Sequence, residues 1–445
     1  MSEAASTTRS IEIDAIGRDI YALAAEIFPI CRSITGEGVR RTINVLARHI
    51  PIQSHELPTG TPVLDWTIPK EWGITDAFIK NSKGERVVDF QRSNLHVVNY
   101  SAPVRQILPI SQLKQHIFTL PDQPDLIPYR TSFYKEEWGF CTSHRQLEAL
   151  EAAGGTYEVV IDSRLEPGTL TWGEYLHVGN STDEVLISTH ICHPSLANDN
   201  CSGLALATLL ARELSGRQTR LTYRFVFVPV TIGSIAWLAT NEAALGRIKH
   251  GLVLSNLGDA GAPTYKRSRR SDTPIDRAVS HVLRRSGSPY NLLDFVPYGY
   301  DERQYCSPGF DLPVGLFQRS QYGTFPEYHT SADNLDFIRP QYLAESFRLI
   351  VQALDVLERD CKPINLSPKG EPQLGKRGLY AGFGSGRDAM RRNMAVLWVL
   401  NLADGHHSLL DIAERADLPF DLVAVATSAL EGHGLLTTNA TSQGR

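Results

Sequence analysis

Between about residues 130 and 360, short apolar runs alternate with helix-patterned runs, and no other feature restricts the fold of this chain as strongly. The pattern predicts strands at Tyr157 to Ile161, Glu184 to Thr189, Thr222 to Val230, His250 to Ser255 and Pro313 to Phe317. Between and after them it predicts helices at Gly203 to Leu214, Ser234 to Leu245, Pro274 to Arg285 and Gln341 to Glu358. Strands separated by helices pair in parallel and need cover on both faces. The run Tyr223-Arg-Phe-Val-Phe-Val-Pro-Val is nearly all apolar, as a central strand buried on both sides must be. The predicted fold class is α/β, with a mostly parallel mixed sheet flanked by helices.

The rest of the 445 residues divides around that body, and the length suggests two or three domains. Residues 1–57 read as N-terminal helices joining the α/β body, with helical spacing at Ile13, Ile16, Ile20, Leu23 and Ile27. Residues 58–128 are short β-like pieces broken by Pro and Gly, including a hairpin around Lys83-Gly84, and read as an inserted β-rich domain. The α/β domain then spans 129–365. Residues 366–445 carry three short helical runs, from Arg391, Ser408 and Phe420, closed by Gly434-Leu-Leu-Thr-Thr, the pattern of a winged helix.

The net charge of −5, from 44 basic and 49 acidic residues, gives no sign of a polyanion-binding surface. Neither a leader nor a membrane helix is visible in the sequence, so the expected location is cytoplasmic and no membrane partner is expected. The six cysteines form no CxxC pair, which argues against a zinc ribbon or a disulfide framework.

Chemistry concentrates where the Glu184-Val-Leu-Ile-Ser strand runs into Thr189-His-Ile-Cys-His-Pro-Ser-Leu-Ala-Asn-Asp-Asn-Cys-Ser-Gly203. The carboxyl end of a strand is where α/β proteins place their sites. His190 ends that strand, Asp199 precedes a helix, and His329 lies far downstream in Tyr328-His-Thr-Ser-Ala-Asp333. Together they would form a two-histidine, one-carboxylate set for a divalent metal. Arg32, in a polar loop, either lines a pocket or caps a helix in a connector.

Residues 184–340 resemble the zinc aminopeptidase fold, which also includes glutaminyl cyclases. The resemblance rests on the strand-His turn, Asp199-Asn-Cys-Ser-Gly203 and the late His329-Thr. Nearly the whole chain resembles a bacterial aminopeptidase-like family with an inserted β domain and a C-terminal winged helix. Its marks are Arg32-Ser-Ile-Thr-Gly-Glu-Gly, Asp65-Trp-Thr-Ile-Pro-Lys-Glu-Trp, Ser93-Asn-Leu-His-Val-Val, Trp138-Gly-Phe-Cys, Thr189-His-Ile-Cys-His-Pro, Asp301-Glu-Arg-Gln-Tyr-Cys-Ser-Pro-Gly and Glu327-Tyr-His-Thr-Ser-Ala-Asp-Asn-Leu. The resemblance implies His190, Asp199 and His329 as ligands of one or two zinc or other divalent ions, with Asp199 bridging where there are two. His193 competes with His190, because Cys192 stands where the aspartate of the usual His-x-Asp pair would be.

Other expected partners are missing. Val230 occupies the place of the glutamate that serves zinc aminopeptidases as general base, and valine can neither accept a proton nor bind metal. Ser255 sits where another ligand belongs, and Asp259, four residues on, either reaches the site or caps a turn. If a carboxylate replaces the base, the candidate is Glu302, with Asp301 orienting a substrate or binding its amine. The competing reading for Glu302 is a salt bridge to Arg303 or another basic residue. Tyr322 and Tyr328 could donate to an oxyanion, or simply pack.

The winged helix is acidic through Asp404, Asp411, Glu414, Asp417, Asp421 and Glu431, which argues against nucleic acid and for packing or dimerisation, so a homo-oligomer is an expectation. The leading functional expectation is a metal-dependent hydrolase of an amide or peptide bond in a small molecule or short peptide. The alternative is a hydrolase-derived ligand-binding or assembly protein, without catalysis because of Val230.

Overall fold

Eight strands form the principal sheet of the computed structural model, which describes residues 2–379 and 387–438. Their spatial order is Gln53–Pro58, Thr169–His177, Thr222–Val228, Glu184–His190, Ile248–Leu254, Val314–Gln318, Thr264–Lys266 and Asn291–Leu293. The central four run parallel, and the two added beyond Thr222–Val228 are antiparallel. The sheet is thus mixed, with a parallel centre of the kind the strand–helix alternation predicts. Every residue of Glu184–His190 is buried, and so is nearly all of Thr222–Val228. Helix Gly203–Ser215 packs through Leu204, Leu206, Leu209 and Leu210, all at most 1% exposed.

A second sheet has four antiparallel strands in the order Arg86–Asp89, Glu71–Lys80, Thr156–Glu166, Val104–Pro109. Its core includes Ala77, Ile79, Val88, Phe140, Val159 and Ile161. The run Tyr157 to Ile161, expected in the α/β body, is therefore the interior of this smaller sheet. Local pattern identifies a strand but not its partner, and here the partners lie some 50 to 90 residues upstream. The hairpin at Lys83-Gly84 is present: the Asn81 side chain accepts from the Lys83 and Glu85 backbone N–H groups, and Gly84 has φ 80°.

The chain divides into two compact units, Met1–Asp276 with Ser288–Arg348, and Arg277–Gly287 with Leu349–Arg445. The second contains helices Arg387–Leu402, Leu409–Arg415 and Phe420–Gly432, and strand Leu436–Thr437 paired with Ile364–Asn365. A capping box between Ser408 and Asp411 starts the middle helix. Within this unit Arg277 pairs with Asp411 and Glu414, Arg285 with Asp417, and Arg359 with Asp421, so much of the acidity noted in the sequence is matched internally. The Gly-rich stretch 378–386 lies largely outside the described residues. No helix among the described residues is long and apolar enough to cross a membrane.

Candidate metal centre

His190 ends its strand opposite Val228, at the carboxyl edge of the parallel centre. The turn that follows is buried almost throughout and stitched to its neighbours. Thr189 Oγ1 donates to the Leu254 carbonyl at 2.9 Å, and Asn200 Nδ2 donates to Thr189 Oγ1 at 2.7 Å and the His190 carbonyl at 3.1 Å. The Asp333 carboxylate receives the backbone N–H groups of Asn198 at 2.6 Å and Asp199 at 3.0 Å. Gly203 is required where the turn enters its helix, because a Cβ there would lie 2.2 Å from Asn200 Oδ1 and 2.8 Å from the Leu254 carbonyl.

Three histidines converge on Asp199. His190 Nε2 lies 2.9 Å from Oδ1, His329 Nε2 3.0 Å from Oδ2, and His193 Nε2 3.9 Å from Oδ2. Asp199 and His190 are at most 1% exposed, whereas the His329 side chain is 33% exposed and gives the site its open side. Burial pushes the Asp199 carboxyl up, but His193 and His190 beside it outweigh that and hold it well below the usual carboxylate range. Burial holds His193 well below the ordinary imidazole value, against the pull of Asp199. His193, Asp199 and His329 present ligand atoms all within 4.8 Å of one another, a set that holds His193 and not His190, while His190 and His193 form a second such set with Cys192.

Aromatic rings fix this arrangement. Tyr300 stacks on His190 at 5.0 Å between centroids, and its hydroxyl donates to Asp199 Oδ1 at 3.0 Å. Tyr328 stacks on His329 at 3.9 Å. The Tyr129 ring lies 4.9 Å from His193 and 5.0 Å from His329. Sequence reasoning missed Tyr300 and Tyr129. Each lies in a loop beside other aromatic residues, Tyr298 before Tyr300 and Phe133 and Tyr134 after Tyr129, so nothing in the sequence sets it apart. Ser255 Oγ lies 3.4 Å from both His190 Nε2 and Asp199 Oδ1. Cys192 Sγ is 3.2 Å from His193 Nδ1, and His190 Nδ1 is buried with no hydrogen-bond partner among the described residues.

Other residues singled out in the sequence lie elsewhere or do different work. Arg32 is 1% exposed and is not part of the wall of the cavity beside His193 and His329: it donates to the carbonyls of His193 at 2.9 Å and Ile27 at 2.5 Å and to Cys201 Sγ, bracing the turn that carries His193. A polar residue in a Gly-flanked loop gives no local sign of such burial. Glu302 is fully buried, with Lys266 Nζ 2.5 Å from Oε1. The same ammonium also donates to the Tyr298 carbonyl at 2.8 Å. Asp301 Oδ1 accepts from Ser234 Oγ at 2.7 Å, and burial, with Glu302 adjacent, pushes its carboxyl up to about 7. Among the described residues, no hydrogen bond or ion pair links Glu302 or Asp301 to the histidines. The Tyr322 hydroxyl donates to the Tyr298 carbonyl at 2.6 Å. Asp259 accepts from Asn198 Nδ2, Ser320 Oγ and the Gly261 N–H, so it organises a turn. Val230 is partly buried, and its N–H points to Cys192 Sγ at 3.3 Å.

The fold is that of an aminopeptidase-like α/β protein bearing a C-terminal winged helix. Residues 21–360 match a family described as a domain of unknown function, DUF4910, and the chain belongs to that family. Residues 362–438 match a winged helix-turn-helix. A Clostridium acetobutylicum protein described by polysaccharide biosynthesis and an aminopeptidase-like domain is 50% identical over 414 residues, 93% of this chain and 95% of the relative. A crystal structure from Clostridium acetobutylicum, described as that of a peptidase, superposes with a TM-score of 0.92 at 47% identity, over 97% of this chain and 99% of the other. A zinc aminopeptidase of Bacillus subtilis shares the fold at a TM-score of 0.55 and 13% identity, over 76% of this chain and 94% of the other.

Proposed function

We propose that this protein is a metal-dependent hydrolase of an amide or peptide bond in a small or short peptide substrate. The observation that carries the reading is the convergence of His190, His193 and His329 on the buried, ionised Asp199. Imidazole nitrogens around one carboxylate are the donor set that zinc and similar divalent ions take. A divalent ion held there supplies Lewis acidity toward a carbonyl. Asp199, His329 and either or both of His190 and His193 would hold one or two ions, while Tyr300 and Asp333 keep Asp199 in position. Tyr328, stacked on His329, is the candidate donor to the oxyanion of an attacked carbonyl.

Elemental analysis of the purified, zinc-loaded protein tests the reading. Wild type retains one or two equivalents and hydrolyses aminoacyl amides, whereas His329→Ala loses metal and activity together. Absence of divalent metal in wild type would sink the metal-dependent form. A second reading, a ligand-binding protein without catalysis, is favoured by Val230 in the place of the expected glutamate. It predicts metal without hydrolysis, and a gain of activity in Val230→Glu would then show that only the base was missing.

A further inference from the structure

Beside the histidines lies a cavity of about 480 Å³ whose far wall comes from residues 98–138, with His193 and His329 on the near side. Two side chains on that wall carry opposite charge, Arg130 and Glu137. Neither is ion-paired with any described residue, including each other, whereas the nearby Glu136 pairs with Lys70 and Asp125 with Arg145. Arg130 is instead held with its guanidinium over the Phe118 ring, 4.9 Å from its centroid. Such a perch fixes the cation's direction while leaving its fork of N–H donors free. The intervening surface is aromatic, with Phe133, Tyr129 and Trp138, and the Trp138 ring is fixed by stacking on His116 at 3.7 Å.

A cavity that displays an unpaired cation, an unpaired anion and an aromatic wall complements a small molecule carrying the same three features in reverse. From this we infer that the cleft selects a zwitterionic substrate: Arg130 receives its acidic group, Glu137 its amine, and the aromatic wall an apolar side chain. Free amino acids and short unblocked peptides have this chemistry. The inference rests on the hydrolase reading only for what happens to the bound molecule. Recognition by Arg130 and Glu137 does not require metal.

Three uncleavable probes separate the charges: L-phenylalanine, phenethylamine, which lacks the carboxylate, and 3-phenylpropanoate, which lacks the amine. Calorimetric titrations are run on the full-length protein after chelation and again with zinc restored. In the chelated protein phenylalanine binds more tightly than either single-charge probe. Arg130→Ala weakens phenylalanine and 3-phenylpropanoate by about two- to fivefold, in line with one partly solvated charge pair, and leaves phenethylamine unchanged. Glu137→Gln produces the mirror pattern. Both side chains are exposed, so neither change threatens folding. Equal response of all three probes to both substitutions, or no phenylalanine binding at millimolar concentration, overturns the inference. If the crossed pattern appears but zinc does not bind, the hydrolase reading fails while this one stands.

Discussion

Removing one charge from the Lys266–Glu302 pair tests whether Glu302 is an architectural or a catalytic carboxylate. The two groups are 2.5 Å apart with side chains 1% and 0% exposed, and burial pushes the Glu302 carboxyl up more than Lys266 pulls it down. The cost of desolvating the pair therefore rivals its attraction, yet removing one partner strands the other charge at a cost of about 3–5 kcal/mol. Gly299 leaves no room to relax, since a Cβ there would sit 2.1 Å from Glu302 Oε1 and 2.7 Å from Lys266 Nζ. For a unit of about 340 residues, an unfolding entropy of roughly 0.7 kcal/mol/K makes Glu302→Gln lower Tm by about 4–7 °C. Adding Lys266→Met removes the stranded ammonium, so the double variant should recover about 2–3 kcal/mol relative to the sum of the singles. Calorimetry of the four proteins gives the cycle, and amide hydrolysis per folded molecule should be unchanged in Glu302→Gln. A Tm within a degree of wild type, strict additivity, or a collapse of rate without loss of stability would each refute the reasoning.

Gly203→Ala should disturb the metal centre without touching a candidate ligand, because the new methyl displaces Asn200 and with it the turn carrying Asp199; zinc affinity should fall at least tenfold, and unchanged affinity would show that the turn yields freely. His281 is 4% exposed, and its Nε2 accepts the Phe420 N–H at 3.1 Å. Burial, then Arg285, lowers its pKa to about 4, so between pH 6.5 and 4 the unfolded chain holds more protons and stability falls as pH drops. The loss should reach about 2 kcal/mol after allowing for solvent screening, and His281→Gln should flatten that part of the stability profile. An identical slope in the variant would be the contrary result. Asp333→Ala strands the N–H groups of Asn198 and Asp199 and should cost about 2–4 kcal/mol by denaturant melts, with Asp333→Asn intermediate.

How much could be read from the chain depended on how local the cause was. The end of a strand at His190 and the helix after Gly203 follow from short-range apolar spacing, and the parallel sheet from their alternation. The second sheet was half hidden, because Tyr157 to Ile161 looks the same whichever strand it pairs with. Arg32, Asp301 and Glu302 look like site residues by composition, yet they are spent on His193, Ser234 and Lys266, partners 36 to 161 residues away in the chain. Tyr300 and Tyr129 carry the opposite lesson: nothing local distinguishes a ring that stacks on a histidine from one that fills a core.

The contact between His329 and Asp199 closes a loop of 130 residues, and Asp333 grips the Asn198 backbone across 135. Closing so long a loop is entropically costly and is repaid only when the intervening strands are in place. During synthesis the Asp199 turn leaves the ribosome long before its His329 and Asp333 partners. A nascent chain stalled anywhere before residue 329 therefore holds at most His190, His193 and Asp199, without the residues that pin and complete them. Assembly of the complete Asp199 cluster is therefore tied to near-completion of the α/β body.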